Sequence, residues 1–185
     1  QLARRAADLG RDDAVALAFA GQTLVYVAHD LDSGAALIDR ALLLNPNSTV
    51  AWHWSGWVKI WVGEPEAGVE RVTHAMRLSP MDPFIRGMQG TIAHGCFFAS
   101  RHEEAASWAL KTLSDAPDAH PALRISAASH AFCGRLDQAR EAVARLRRAD
   151  PHLRVSNLRN VLGPYRRPDY VAKYQEGLRR AGLPE

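Results

Sequence analysis

Histidine is the residue type in this sequence that most invites a chemical role, because imidazole binds metals and titrates near neutral pH. The eight histidines are scattered along the chain. His102-Glu103-Glu104 lacks the second histidine of an H-E-x-x-H zinc helix, since position 106 is alanine. His53 and His94 lie in related helix-like stretches and could face one groove, where a pair could bind a metal or sense pH. Ordinary polar groove residues are the favoured interpretation, so no metal site is expected.

Motifs that mark enzymes are not found. Gly87, Gly90 and Gly95 lie within a helical pattern, not in a nucleophile elbow, a P-loop or a dinucleotide loop, and indicate close packing. Cys96 and Cys133 have no neighbouring motif that would mark a reactive thiol. Two cysteines without metal-ligand spacing favour a reducing compartment, and we expect the cytoplasm. No catalytic residue and no cofactor are expected in this segment.

Arginines gather in the C-terminal third of the chain, which raises the question of a nucleic-acid partner. The cluster has few acidic neighbours and comprises Arg145, Arg147, Arg148, Arg154, Arg159, Arg166 and Arg167. No aromatic platform alternates with these arginines, and the formal net charge of the chain is only +3. A solvated or domain-contacting face is the favoured interpretation, so nucleic acid is not an expected partner.

The composition is that of a folded, soluble chain: 47% of the 185 residues are hydrophobic and 23% are charged. No run of about 18 apolar residues is present, so no transmembrane helix is predicted. The first residues, QLARRAADLGRDDA, lack the apolar core of a signal peptide. Because Gln1 is not an initiator methionine, we expect the sequence to begin inside a longer protein.

Proline-containing stops recur along the chain at nearly constant spacing. They are Asn45-Pro46, Ser79-Pro80, Ala116-Pro117 and Asp150-Pro151, separated by 34, 37 and 34 residues. Between stops the apolar residues recur at helical spacing, and each unit reads as two helices. The three extra residues of the third unit are expected to lengthen its first helix. The whole pattern predicts no strand and eleven helices, at 1–9, 14–28, 32–44, 49–62, 66–78, 82–99, 103–114, 120–133, 137–149, 153–162 and 168–181.

A period near 34 with two helices per unit resembles the tetratricopeptide repeat (TPR) family, whose pattern is W-x2-L-G-x2-Y, then A-x3-F, then P. The best-matching unit is AWHWSGWVKIWVGEPEAGVERVTHAMRLSP, which carries at family positions Trp52, Gly56, Gly63, Ala75 and Pro80. It departs from the family pattern at Ser55, Lys59 and Gly68. The resemblance implies an all-α fold, a right-handed solenoid of about four helix-turn-helix repeats with a C-terminal capping helix.

The resemblance also implies how the chain is divided. Residues 1–13 would be the tail of a truncated preceding repeat. Four repeats would follow at 14–48, 49–81, 82–119 and 120–151. Residues 152–185 would form C-terminal capping helices, because a terminal repeat needs a cap with a polar outer face.

Three tryptophans of the second unit, Trp54, Trp57 and Trp61, recur at spacings of three and four and so share one side of a helix. In TPR folds the first helices line a concave, peptide-binding groove. The resemblance implies as candidate groove residues Gln22, Tyr26, His53, Trp57, Trp61, Thr91, His94 and Arg124. Trp52 takes a core position of the family, and Trp54 and Trp61 could instead fill space between repeats. The carboxylate-clamp pattern of lysine and asparagine is absent, which argues against chaperone tails as ligands.

The ending EGLRRAGLPE, after a proline-aspartate helix start, resembles a narrower group: the C-terminal TPR regions of bacterial class III adenylate/guanylate cyclases and of related winged-helix regulators. This resemblance implies a non-catalytic interaction and regulatory module that binds a peptide, a partner protein or a sister domain. Any cyclase domain would lie upstream of this sequence. One alternative is the effector domain of a winged-helix transcriptional regulator, and another is a small-ligand or metal sensor that uses His53 and His94.

Overall fold

The computed structural model describes residues 2–185, which form ten α-helices, one 3₁₀ turn at Leu158–Asn160 and no strand. The α-helices are α1 (Leu2–Leu9), α2 (Ala14–Tyr26), α3 (Leu31–Leu44), α4 (Thr49–Val62), α5 (Pro65–Leu78), α6 (Ile85–Phe98), α7 (His102–Asp115), α8 (His120–Phe132), α9 (Leu136–Ala149) and α10 (Pro168–Arg180). Within these residues, no helix combines the length and the apolar character needed to cross a membrane.

The helices pair in chain order into four hairpins, α2–α3, α4–α5, α6–α7 and α8–α9, and α1 packs on α2. Short turns join the partners, which makes them antiparallel. The first helices α2, α4, α6 and α8 also touch one another in series, whereas the second helices make no such extensive contact. The first helices therefore line the inner, concave side of the stack. This arrangement is an α-solenoid and confirms the all-α solenoid predicted from the sequence.

Each hairpin turns at one residue in the left-handed region of backbone conformation. These residues are His29 (φ 54°), Gly63 (φ 104°), Ser100 (φ 63°) and Gly134 (φ 74°). Glycine adopts this conformation without a steric penalty. After Gly63 the backbone N–H of Glu64 donates to the Lys59 carbonyl at 2.8 Å, so a free carbonyl at the end of α4 is satisfied. The turn sends α5 back along α4.

Small residues let the two helices of each hairpin approach closely. A methyl group added to Gly56 would lie 2.9 Å from the Gly68 carbonyl oxygen and 2.3 Å from Val72 Cγ2. Gly21 and Gly34 approach each other in the same way in the first hairpin, and Ala93, Ala105, Ala127 and Ala139, at the corresponding positions of the last two hairpins, are fully buried. The repeated small residues of the sequence therefore mark the crossing points of the helices.

The sequence predicted a lengthened first helix in the third hairpin, and this prediction is wrong. α6 has 14 residues, as α4 does, and begins at Ile85, three residues later than predicted. Two of the three extra residues lie in the loop before α6, and one lies in the turn after it. Asp82 explains the late start, because its Oδ1 accepts the backbone N–H of Phe84 at 2.8 Å. Pro83 also disfavours helical geometry at Asp82.

The helix predicted over 153–162 does not form, and only the 3₁₀ turn at Leu158–Asn160 is present there. Asn157 is the physical reason. Its Oδ1 accepts the Arg154 backbone N–H at 2.9 Å, and its Nδ2 donates to the His152 carbonyl at 2.8 Å. These side-chain bonds compete with the backbone bonds of a helix. The other nine predicted helices agree with the structure to within two residues at each end, except that position 1 lies outside the described residues.

After the 3₁₀ turn the chain crosses the concave side and returns to α4. We refer to residues 161–167 as the C-terminal strap. The Arg166 backbone N–H donates to the Trp61 carbonyl at 2.8 Å, and its guanidinium pairs with Asp32 on α3. α10 then lies against α8. The strap and α10 cover the concave side of α6 and α8, where almost every residue is buried.

Two glycine substitutions test the close crossing of α4 and α5, one at the crossing and one away from it, and they should have opposite effects on stability. Gly56→Ala should lower the free energy of unfolding by about 1–3 kcal/mol, because the added methyl group collides with α5. Gly90→Ala on α6 is the matched control, since its methyl group would lie 3.9 Å from Thr112 Cγ2, an ordinary contact. Alanine favours helix, so this variant should gain about 0.5–1 kcal/mol. Urea unfolding followed by circular dichroism measures both, and equal effects would contradict the close crossing.

Candidate binding site

Five of the eight predicted groove residues line one cavity on the concave side. These five are Tyr26, Trp57, Trp61, His94 and Arg124. The cavity has a volume of about 180 Å³ and is partly open to solvent. The rest of its wall is formed by Trp54, Pro121, Val161, Leu162, Gly163 and Tyr165. We refer to this cavity as the aromatic pocket.

Flat aromatic faces dominate the aromatic pocket. Trp57 and Trp61 stack with their ring centroids 4.9 Å apart and their planes inclined by 21°. A spacing of four residues along α4 places both indoles on the same side of the helix. Tyr26 of α2 lies over Trp61 at 6.3 Å, and His94 of α6 meets Trp57 edge-on at 4.8 Å. Such surfaces favour planar apolar groups.

The C-terminal strap closes the aromatic pocket over Trp61. Gly163 lies so close to the indole that an added methyl group would be 2.3 Å from Trp61 Nε1. Tyr165 follows, with its ring centroid 4.9 Å from that of Phe98, and burial raises the pKa of its hydroxyl. Sequence reasoning missed the strap, because the contact joins residues about 100 positions apart. The sequence offers one local signal there, Gly163-Pro164, and a glycine-proline pair indicates only a turn or a break in a helix.

Arg124 lines the aromatic pocket from α8, and within residues 2–185 it forms no ion pair. Its side chain is buried, with 8% of the residue exposed. One guanidinium nitrogen, Nη2, donates a long hydrogen bond of 3.4 Å to the Val161 carbonyl of the strap, whereas Nε has no partner in the described chain. Buried charges in proteins are normally paired, because removing them from water is costly. Arg124 thus keeps one donor, Nε–H, without a partner in the described chain, and its guanidinium also lies near the buried Tyr174 hydroxyl, where it partly opposes the rise in pKa that burial causes.

The other three predicted groove residues lie outside the aromatic pocket. His53 Nε2 is 2.8 Å from Thr91 Oγ1, and this buried pair joins α4 to α6. The Thr91 hydroxyl donates its proton to the Gly87 carbonyl at 2.9 Å, so Nε2–H of His53 is the donor to Thr91. Gln22 lies on α2 and is half-buried.

Both histidines of the predicted groove are neutral at pH 7. Burial lowers the pKa of His53 to about 4 and the pKa of His94 to about 4. Nδ1 of His94 lies 2.9 Å from the Gly90 carbonyl and donates to it, which leaves Nε2 unprotonated. The part of the chain that the structure describes has no group of three or more His, Cys, Asp or Glu side chains that could hold a metal ion. The metal-sensor alternative therefore finds no third ligand there.

An exposed apolar stripe runs along α2 into the aromatic pocket. Val15, Phe19 and Tyr26 are 51%, 42% and 53% exposed. Together with Gln22 they are spaced by four, three and four residues, which places them on one side of the helix. Tyr26 belongs both to this stripe and to the pocket wall. We refer to these four residues as the α2 stripe, of which the sequence predicted only Gln22 and Tyr26.

Solved structures share this architecture, whereas no protein-family model and no curated protein matches the sequence. YrrB, described as a TPR protein with an unusual peptide-binding site, is 18% identical with a TM-score of 0.62, over 98% of this chain and 91% of that one. PilW, described as a type IV pilus biogenesis factor, is 16% identical with a TM-score of 0.70, over 96% and 81%. MamA is 14% identical with a TM-score of 0.58, over 84% and 88%. The chain has a TPR fold.

Two further parts of this TPR solenoid were singled out from the sequence. Trp52 lies outside the aromatic pocket, where its Nε1 donates to the Pro46 carbonyl at 2.8 Å and its ring meets His74 at 4.6 Å. These contacts pack the start of α4. The C-terminal arginines are spread over several elements, and among those that bind other groups of the chain are Arg145, Arg154, Arg166 and Arg167.

Acidification from pH 7 to pH 5 should destabilise the protein through His53 and His94. Their pKa values lie near 4 in the fold against about 6.5 in the unfolded chain, so the unfolded chain takes up protons first. The stability is therefore fully present above about pH 6.5 and is lost as the pH falls toward 4. Each histidine should remove about 2 kcal/mol from the free energy of unfolding by pH 5. Urea unfolding at the two pH values measures the loss.

Two substitutions distinguish the contribution of these histidines to the pH dependence from that of the other titrating groups. His53→Gln keeps a donor near the position of Nε2, and His94→Asn keeps one near the position of Nδ1. Each should flatten the pH dependence between pH 7 and 5, because one titrating group is gone. If the variants lose as much stability between pH 7 and pH 5 as the wild-type chain does, these imidazoles are not buried in the neutral form.

Proposed function

We propose that this chain is a non-catalytic protein–protein interaction and regulatory module that binds a peptide, a partner segment or a sister domain on its concave side. The observation that carries the proposal is the continuity of the α2 stripe with the aromatic pocket. Together they form an exposed apolar track that ends in a concave site. Exposed apolar surface of this kind marks interaction sites. Tryptophan, tyrosine and arginine, which line the end of the track, are the residue types that dominate binding energies.

The covered half of the concave side supports a position for the proposed partner on the uncovered half. α10 and the strap cover α6 and α8, so a ligand does not run along the whole groove as the TPR resemblance implies. α2 and part of α4 stay accessible: Phe19 and Tyr26 are exposed, and Trp54 and Trp57 are half-buried. A bound segment would lie along the α2 stripe and place one side chain, or its end, in the aromatic pocket.

The description of YrrB supports this proposal. That protein is described as having an unusual peptide-binding site, and its fold matches 98% of this chain. A shared solenoid supplies the same concave scaffold, but the contacts that choose a ligand come from individual side chains. For this chain those side chains are the α2 stripe and the wall of the aromatic pocket.

We further propose that the module belongs to a bacterial adenylate cyclase whose catalytic domain lies outside this sequence and which works in the cytoplasm. The alternative is a winged-helix transcriptional regulator. The basis for both is the ending EGLRRAGLPE, in which Leu178, Ala181 and Leu183 are buried and Gly182 turns the chain at φ 92°. The sequence upstream of Gln1 is the test. A cyclase domain there supports the proposal, a winged helix favours the alternative, and any other domain removes both.

Peptide selection tests the proposed track. Phage display of random peptides on the purified chain supplies a labelled probe, and fluorescence anisotropy gives its dissociation constant. Phe19→Ala and Trp57→Ala should each weaken binding at least about tenfold, because each removes an aromatic anchor. Leu43→Ala is the matched control, since Leu43 is 83% exposed on α3, outside the concave layer.

The control variant should bind the probe as the wild-type chain does, and circular dichroism should show all three variants folded. Probes that bind Phe19→Ala and Trp57→Ala as tightly as the wild-type chain would place the interaction on another surface. A selection that yields no peptide dependent on either residue would remove the proposed track.

A further inference from the structure

The aromatic pocket holds one full charge, that of Arg124, and nothing in its wall balances it. None of the lining residues is Asp or Glu, and His94 is neutral at pH 7. Within the described chain the guanidinium makes one long hydrogen bond, to the Val161 carbonyl. Its Nε is buried and has no partner there. An anion in the pocket would supply the missing charge and accept hydrogen bonds from the guanidinium.

The size and walls of the aromatic pocket suit a ring compound. Its volume is about 180 Å³, and an apolar cavity of about 150 Å³ in another protein holds benzene. Trp57 is half-buried and offers a ring face, whereas Trp61, 2% exposed, stacks against both Trp57 and Tyr26 and supports that face from behind. A ligand that uses both the rings and Arg124 must therefore carry a negative group on a planar apolar body.

The donors in the wall favour a carboxylate over a phosphate. The fork of one guanidinium matches the two oxygens of a carboxylate. A doubly charged phosphate would call for further cations or backbone N–H groups, but no lysine lines the pocket. Pro121, in the first turn of α8, has no N–H to offer. A singly charged group matches the single charge of Arg124.

We propose that the aromatic pocket binds an aromatic monocarboxylate, with its ring on Trp57 and its carboxylate paired with Arg124. The inference rests on the proposed function for its location alone, since both place a ligand in this pocket. Two sources share the chemistry: a free aromatic acid, and the last residue of a peptide that ends in phenylalanine, tyrosine or tryptophan. The experiment below has an arm for each source.

Phenylacetate and phenylacetamide test the proposal on the wild-type chain, because they share a ring and differ in charge. In ¹H–¹⁵N spectra, phenylacetate should shift the indole signals of Trp54, Trp57 and Trp61. Trp52 and Trp108 lie outside the pocket and should not shift. Phenylacetamide should bind at least about tenfold more weakly, because it cannot form the charge-assisted pair. Equal binding of phenylacetate and phenylacetamide, or no indole shift with either millimolar phenylacetate or the free-acid peptide described below, would overturn the proposal.

Arg124→Met tests the pairing directly, because methionine fills similar space without a charge. This variant should lose the preference for phenylacetate over phenylacetamide. Arg86→Met, at an exposed arginine on α6, is the matched control and should keep that preference. A preserved preference in Arg124→Met would overturn the assignment of the carboxylate to Arg124. Should Arg124→Met fail to fold, the comparison of the two probes on the wild-type chain still decides.

A short peptide ending in phenylalanine, with a free carboxylate or a terminal amide, distinguishes the two sources. Tighter binding of phenylacetate assigns the site to a small molecule, and tighter binding of the free-acid peptide assigns it to a protein C-terminus. Binding of neither probe removes the inference. If phenylacetate and the free-acid peptide both fail to bind while a phage-selected peptide binds through Phe19, only this inference falls. If phenylacetate binds and no peptide does, only the proposed peptide track falls.

Discussion

The contact between Gly163 and the Trp61 indole is the constraint on which the concave side of this solenoid depends. A methyl group at Gly163 would lie 2.3 Å from Nε1, so the strap can reach α4 only through glycine. Three residues later, Arg166 bonds to the Trp61 carbonyl at 2.8 Å. In a simple solenoid each repeat touches only its neighbours. Here one long-range contact interrupts the groove and closes one side of the aromatic pocket.

α10 extends this link into the core. Tyr170 stacks on Phe98 with ring centroids 4.7 Å apart and planes 8° apart, and Tyr174 is fully buried. One apolar cluster therefore connects the helices from α4 to α10, while α1, α2 and α3 contribute to smaller clusters. Among the apolar side chains that remain exposed on the concave side, Phe19 and Tyr26 lie on α2, at the end that the C-terminal segment does not cover. Covering one half of the groove thus defines the other half as the surface open to a partner.

The sequence predicted the solenoid because its determinants repeat: stops near every 34 residues and small residues at helix crossings. The two wrong helix predictions have a common cause, since the Asp82 and Asn157 side chains bind nearby backbone groups and periodicity does not report such bonds. The pocket was predicted in part, because the residues on first helices follow family positions. The strap was not, since a contact between Gly163 and Trp61 leaves no periodic trace.

The stability of the fold does not explain why residue 124 is an arginine. Removing a guanidinium from water is costly, and a 3.4 Å bond to one carbonyl offsets little of that cost. An apolar side chain of similar volume would be expected to fold at least as stably in its place. The neighbouring rings do not require the charge, because Trp57 and Trp61 stack on each other. Sequences depart from the most stable choice chiefly at functional sites. The proposed recognition of an anion would account for Arg124 where packing does not.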